Sequence, residues 1–113
     1  MVTGRAERGM SAPPEVVFST ATDPDRVSAW LPAPLREDGG PRPELSAADL
    51  RARWRSAGSP DWSARLQVSP VDAGGATVRL ELEGEPSEQR LHEIADESLA
   101  GLAREVDDNL TPG

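Results

Sequence analysis

The fold of this 113-residue chain is decided by residues 62–69, which read WSARLQVS, and by residues 76–83, which read ATVRLELE. In both stretches apolar and polar side chains alternate, as in a β-strand with one buried and one solvated face. Residues 48–55 alternate in the same way. The connections, residues 56–61 and 72–75, are short and contain Gly, Pro and Asp, so they favour antiparallel hairpins. The predicted apolar face consists of Ala48, Leu50, Ala52, Trp54, Trp62, Ala64, Leu66, Val68, Ala76, Val78, Leu80 and Leu82.

The C-terminal residues 86–110 predict the longest helix, because apolar side chains recur there at steps of three and four residues. Neither this apolar stripe nor the apolar sheet face has another partner of comparable size, so we expect the two to pack together. The pattern therefore predicts an α+β fold. The stripe comprises Leu91, Ile94, Ala95, Leu99, Leu102, Val106 and Leu110, and the opposite side carries Arg90, Glu93, Glu97, Arg104 and Asp108.

The N-terminal part of the chain predicts one strand and two short helices. Residues 2–11 form the strand, on which small or apolar residues favour the even positions. Pro13 and Pro14 begin the first helix, since proline is tolerated in a first helical turn. The second helix has Asp23 as its N-cap and Pro24 at its first position.

A segment rich in Pro and Gly follows these helices. Pro32 ends the second helix, because a proline restricts the residue before it to extended geometry. Residues 32–46 predict a loop, with at most one brief edge strand at residues 35–37. The sheet is thus expected to have four clear strands and a weak fifth one.

Composition limits the partners and the chemistry of the chain. Its length suits a single domain, residues 1–113. The formal net charge of −8 disfavours nucleic acid and anionic membranes as partners, because both favour basic patches. Cysteine is absent and all 12 basic residues are arginine, which excludes thiolate and lysine chemistry. With no apolar leader near Met1, the chain is predicted to be cytoplasmic.

One series of residues resembles a known family. Residues 11–18 read SAPPEVVF, residues 22–26 read TDPDR, and Trp30 is followed by Leu31 and Pro32. This series resembles the opening of the START-like proteins, the SRPBCC superfamily, where such residues leave the first strand and form a pair of short helices. The superfamily includes pollen-allergen-like proteins, polyketide cyclase-like proteins and lipid carriers, so the resemblance indicates a fold more than an activity.

The resemblance implies a helix-grip fold, in which a curved antiparallel sheet holds a long C-terminal helix with a ligand cavity between them. Family members usually have more strands than this sequence predicts. The missing strands fall within residues 32–46. We therefore expect the cavity to be smaller than usual, or open on one side.

Within this fold the residues of the two apolar faces are the candidates to line a ligand site. Arg8 occupies an even position of the first strand, like Ala6 and Met10, so its side chain is expected on the same face. There it either anchors an anion or a carbonyl group of a ligand in the cavity, or it is exposed at the end of the strand. His92 lies at the border of the apolar stripe of the C-terminal helix. It is either an acid or base at the mouth of the cavity, or a boundary residue whose imidazole bonds to water or to a carbonyl group. The tryptophans either line a flat apolar site or simply fill the core. The candidate ligand-binding residues are Arg8, Trp30, Trp54, Trp62, Leu66, Leu80, Leu91, His92 and Ala95.

The polar sheet face carries a basic stripe of Arg51, Arg53 and Arg55. We interpret this stripe as a solvated surface whose arginines neighbour Glu81 and Glu83 across the sheet.

Three functions are compatible with these observations. The first is binding of a small apolar, aromatic or lipid-like molecule. The second is a protein interaction or homodimerisation module that uses an uncovered sheet edge. The third is an enzyme of the cyclase or aromatase type, which we expect less because only His92 and Arg8 offer acid or base chemistry. No cofactor is predicted, and a lone histidine without cysteines does not provide a metal site.

Overall fold

The computed structural model describes residues 2–32, 35, 43–56, 62–72 and 74–110. The five strands form one antiparallel sheet in the order β1-β5-β4-β3-β2. The predicted α+β architecture is confirmed, with two short helices after the first strand and a long C-terminal helix. In chain order the elements are β1 (Val2–Met10), α1 (Pro14–Thr22), α2 (Val27–Trp30), β2 (Glu44–Ser46), β3 (Arg51–Arg55), β4 (Ser63–Pro70), β5 (Ala76–Gly84) and α3 (Glu88–Leu110).

The strand register places apolar residues in rows across one face of the sheet. Ala6 pairs with Leu80, Leu80 with Leu66, and Leu66 with Ala52. The alternation predicted for β4 and β5 is confirmed, because their inward-facing side chains are buried and their outward-facing ones are partly or fully exposed. Burial of a leucine such as Leu66 contributes about 1.5–3 kcal/mol relative to leaving it exposed.

Helix α3 packs on this apolar face, as predicted. It lies closest to β1 at Gly4, where a Cβ atom would clash with the Cβ of Leu91 and come within 2.6 Å of the backbone nitrogen of His92. The absence of a side chain at Gly4 therefore sets the distance between the helix and the sheet. On the predicted stripe Leu91, Ala95, Leu99, Leu102 and Val106 are buried, Ile94 is half-buried, and the side chain of Leu110 lies outside the described residues.

Helix α3 begins at Glu88, two residues later than predicted. The hydroxyl of Ser87 accepts a hydrogen bond from the amide of Arg90 at 3.2 Å, so Ser87 caps the helix. The carbonyl of Ser87 accepts the first helical bond, from the amide of Leu91.

The second helix is shorter than predicted. The carboxylate of Asp23 accepts a hydrogen bond from the amide of Asp25 at 2.9 Å, and its carbonyl accepts bonds from the amides of Arg26 and Val27. Asp23 thus closes a turn instead of capping a helix directly. As a result α2 begins at Val27 rather than at Pro24.

The third strand also begins later than predicted. Residues 47–50 form a turn between β2 and β3, so Ala48 is exposed instead of facing the core. Leu50 ends this turn with a φ of 54°, in the left-handed region that a branched side chain rarely adopts. Strand β3 therefore begins at Arg51.

The fifth strand lies elsewhere than predicted. It is β2, which falls in the segment predicted as a loop and pairs with β3. Of the weakly predicted strand at residues 35–37, residues 36 and 37 lie outside the described residues. The remaining one, Leu35, is buried and its amide bonds to the carbonyl of Pro32, as in a turn.

The arginines of β3 have different neighbours from those predicted. Strand β4 lies between β3 and β5, so Glu81 and Glu83 are not adjacent to the arginines of β3. Arg53 instead lies directly opposite Arg65. The predicted pairing was wrong because alternation determines which face a side chain occupies but not the order of the strands.

Candidate functional site

A cleft lies between α2 and α3, beside the residue that precedes β4. We call it the α2–α3 cleft, and its volume is about 470 Å³. Apolar side chains form one part of its wall and polar side chains the other. The apolar lining includes Trp30, Pro32, Trp62 and Ile94, and the polar lining includes Arg90, Glu97, Ser98 and Arg104.

Trp30 is fixed at the inner end of the cleft. It is the last residue of α2, is 2% exposed, and donates a hydrogen bond from Nε1 to the carbonyl of Ala21 at 3.2 Å. Its ring meets that of Trp54 edge to face, with the ring centres 5.4 Å apart. Such an aromatic pair contributes about 0.5–1.5 kcal/mol beyond simple burial. Trp30 therefore closes the inner end of the cleft while its ring is almost entirely buried in the core.

Trp62 forms the opposite apolar wall. It is half-buried, and its ring lies over Gly84 at the end of β5. A Cβ atom at Gly84 would come within 3.0–3.2 Å of three atoms of the ring. The glycine thus leaves the space that the indole occupies, while the rest of the indole faces the cleft.

Ser98 is the most buried polar group of the cleft. It lies on α3, is 6% exposed, and its hydroxyl makes no hydrogen bond to any residue in the described part of the chain. Among the described residues this hydroxyl oxygen is not one of the atoms that are both shielded from solvent and unpartnered, so it is open to the cleft, where it can bond to water or to a ligand.

Two arginines of α3 lie at the rim of the cleft. Nη1 of Arg90 is 3.3 Å from a carboxylate oxygen of Glu93 and 3.7 Å from one of Glu97. Arg104 is exposed. Both guanidinium groups are at the solvent side, where they offer hydrogen-bond donors to a molecule that enters the cleft.

An ion-pair network holds α2 against the last turns of α3. Nη1 of Arg26 lies 3.1 Å from the carboxylate of Asp108 and 3.3 Å from that of Glu105. The hydrogen bond from Arg26 to Asp108 is the main reason why the pKa of Arg26 is raised above its usual value. This contact fixes the outer edge of α2 and, with it, the width of the cleft.

The structure brings together only some of the predicted ligand-binding residues. Trp30 and Trp62 line the same cleft. The others on the two apolar faces lie in the core, where they contact one another. This core group comprises Trp54, Leu66, Leu80, Leu91 and Ala95, each at most 5% exposed.

Arg8 and His92 lie outside the cleft. Arg8 is opposite Val78 on the helix side of the sheet, as its parity predicts, but it is exposed. Within the described residues its guanidinium has no hydrogen bond or ion pair. His92 bonds to the backbone of Arg5 through Nδ1, which matches the carbonyl-bonded alternative for this residue.

Sequence reasoning missed Ser98 and Gly101 as parts of a site. Ser98 is seven residues after Leu91, so it falls on the apolar stripe, and a polar residue on such a stripe was the available signal. Gly101 is seven residues after Ile94 and leaves room for α2, because a Cβ atom there would touch Trp30 at 3.5 Å. For both residues, the spacing in the sequence does not show that α2 is the helix that packs against this side of α3.

Two further features bear on the chemistry. Among the residues that the structure describes, no three His, Asp or Glu side chains come together as a metal site requires. In the same residues, no helix is both long enough and apolar enough to cross a membrane.

Comparison with known proteins identifies the fold. No protein-family model and no curated protein matches the chain. Among solved structures, the protein TTHA0849 from Thermus thermophilus superimposes with a TM-score of 0.73 at 22% identity, over 96% of this chain and 99% of that one. The chain has the helix-grip fold of the START-like proteins. The fold predicted from residues 11–32 is thereby confirmed.

Two further helix-grip structures match equally well. BexL, a di-domain ARO/CYC from the BE-7585A biosynthetic pathway, has a TM-score of 0.74 at 20% identity, over 99% of this chain and 48% of BexL. KanY has a TM-score of 0.72 at 15% identity, over 94% of this chain and 97% of KanY. Identities this low establish a shared fold and carry no ligand or reaction with them.

Proposed function

We propose that the protein binds a small apolar or aromatic molecule in the α2–α3 cleft. The observation that carries this proposal is the half-buried indole of Trp62 in the same cleft as the Ser98 hydroxyl, which makes no hydrogen bond within the described residues. The helix-grip resemblance implies ligand binding between the sheet and the C-terminal helix, a place that buried side chains such as Leu66, Leu80 and Leu91 occupy here, so the proposal rests on the α2–α3 cleft itself.

The size and lining of the cleft suit such a molecule. A volume of about 470 Å³ falls in the range of small-molecule sites, which are mostly apolar with a few placed polar groups. The half-buried ring of Trp62 offers a surface for stacking on an aromatic ligand. Ile94 adds an aliphatic contact from α3.

The polar groups give the ligand an orientation. Ser98 lies inside the cleft and would bond to a hydroxyl or carbonyl group of the ligand, while Arg90 and Arg104 at the rim face its more polar end. The expected ligand is therefore amphipathic, with its ring system stacked on Trp62 and an oxygen reaching Ser98.

A fluorescence titration tests this proposal. N-phenyl-1-naphthylamine is an uncharged aromatic probe that accepts energy from tryptophan. We expect it to bind the protein saturably and to quench tryptophan emission, and we expect Trp62→Ala to weaken binding about tenfold or more, through the loss of stacking area.

The control variant is Val71→Ala, which truncates an exposed apolar side chain just past the end of β4, at the opposite end of that strand from Trp62. It should bind the probe like the parent protein. The proposal fails if Trp62→Ala and Val71→Ala bind equally well, or if amide shifts in NMR spectra of the complex avoid Ala29, Trp62 and Ser98.

The homodimer and the cyclase-type enzyme stay alternative hypotheses. The dimer has one observation in its favour, since Leu45 on the edge strand β2 is 52% exposed. Light scattering of the parent and of Leu45→Glu distinguishes a dimer through β2 from a monomer that binds a ligand.

A further inference from the structure

A second cavity lies on the other face of the sheet, away from α3. It is a groove of about 520 Å³ over β2, β3, β4 and β5. We call it the arginine groove, because four arginines line it, namely Arg51, Arg53, Arg65 and Arg79, against two glutamates, Glu44 and Glu81.

The register concentrates positive charge in this groove. Arg53 and Arg65 are direct cross-strand neighbours, and like charges in that position repel each other. Arg51 lies one row further along the same face, where it pairs with Gln67, and Gln67 pairs in turn with Arg79. Four guanidinium groups thus lie on three adjacent strands, with Glu44 opposite Arg53 and Glu81 opposite Arg65 on their other sides.

Most of these arginines make no close ion pair within the described residues. Arg79 is held by Glu7, whose carboxylate oxygen lies 3.0 Å from Nη2 and 3.1 Å from Nε. Among the described residues, no ion pair reaches Arg51, Arg53 or Arg65. In addition, Nε of Arg53 is shielded from solvent and has no hydrogen-bond partner there. A shielded N–H group of a cation is costly unless an acceptor meets it.

The charge of the groove contrasts with that of the whole chain. The outward-facing positions of the strands carry six arginines and four glutamates, whereas the chain as a whole has a formal net charge of −8. Half of all the arginines are therefore gathered on one sheet face. A surface that served only solubility in an acidic protein would not need an excess of positive charge at this place.

We propose that the arginine groove binds the anionic group of a small molecule, a carboxylate or a phosphate. Guanidinium groups match both anions, because their paired N–H donors bond to two oxygens at once. The anion would take the position between Arg53 and Arg65, relieve their repulsion and accept a bond from Nε of Arg53.

Two phenyl compounds and inorganic phosphate test the proposal at constant ionic strength. Benzoate carries a carboxylate on a phenyl ring, and phenyl phosphate carries a phosphate on the same kind of ring. The compound that binds more tightly therefore identifies the anion that the groove prefers. We expect saturable NMR shifts at the amides of Arg53, Arg65 and Gln67. Arg65→Gln should weaken binding of the tighter compound by about tenfold or more, since charge-assisted hydrogen bonds are lost.

The control is Arg8→Gln, which removes one positive charge from the opposite side of the sheet. It should change the affinity by less than about twofold, as expected for an exposed charge at a distance. Equal weakening by Arg8→Gln and Arg65→Gln would show a general charge effect and overturn the proposal. So would shifts confined to Ala29, Trp62 and Ser98, which would place the anion in the α2–α3 cleft.

A thermal measurement separates a binding groove from an ordinary surface. Without ligand, Arg65→Gln should change the melting temperature little, because it removes both the repulsion by Arg53 and the attraction by Glu81. Phenyl phosphate or benzoate should raise the melting temperature of the parent protein and have little effect on the variant. If Arg65→Gln and the parent protein respond alike to the ligand, the proposal is wrong.

Discussion

The imidazole of His92 bonds to the backbone of Arg5 on the free edge of the sheet. Nδ1 lies 3.0 Å from the amide nitrogen and 2.8 Å from the carbonyl oxygen of Arg5. The neutral ring with its proton on Nε2 accepts from the amide, and the ring with its proton on Nδ1 donates to the carbonyl. In either form the side chain occupies a place where β1 would otherwise expose backbone groups to strand addition.

The first prediction concerns this edge. His92→Ala should lower the free energy of unfolding by about 0.5–1.5 kcal/mol, the usual net contribution of one hydrogen bond. It should also speed hydrogen exchange at the amide of Arg5. Gln89→Ala, an exposed change on the same helix, is the matched control and should leave that amide unaffected. Unchanged exchange at Arg5 in His92→Ala would show that the imidazole does not protect the edge.

The second prediction concerns the close approach of α3 to β1. Gly4→Ala should lower the free energy of unfolding by about 1–3 kcal/mol, because the new methyl group meets the backbone of α3 and forces the helix away. Gly9→Ala on the same strand meets no atom within 4 Å and should be close to neutral. Chemical denaturation of both variants measures the difference. Equal stability of the two would contradict the tight helix contact at Gly4.

The third prediction concerns the turn before β3. Leu50 has a φ of 54°, and glycine adopts this conformation without a steric penalty. Leu50→Gly should therefore be more stable than Leu50→Ala by about 1 kcal/mol, the strain of a left-handed residue with a Cβ. Both variants lose the same leucine contacts, so their comparison by thermal unfolding isolates the backbone. A more stable alanine variant would mean that this residue has a negative φ in solution.

The fourth prediction concerns the network that fixes α2. Arg26→Gln removes the ion pairs with Glu105 and Asp108, so α2 should be held less firmly. We expect a lower melting temperature and weaker binding of N-phenyl-1-naphthylamine in the α2–α3 cleft. Because salt screens ion pairs, the difference in melting temperature from the parent should shrink at high ionic strength. A difference that is independent of salt would argue against an electrostatic role.

Much of the fold could be predicted from the sequence, since alternation and helical spacing are local signals. They correctly assigned β4, β5 and the buried stripe of α3. The turn at Asp23 and the left-handed Leu50 were missed, because side-chain bonds and backbone strain override a simple pattern. Of the predicted ligand-binding residues only Trp30 and Trp62 share a cleft, since several others fill the core.

The amino-acid sequence by itself determined which side chains face the core and which face solvent, because a period of two in strands and of three to four in helices follows from backbone geometry. Only the tertiary structure decided which residues of different strands and helices are neighbours. It placed Arg65 opposite Arg53, Trp62 over Gly84 and His92 on the edge of β1. Strand order and the docking of helices depend on contacts between residues far apart in the chain, and local periodicity carries no information about them.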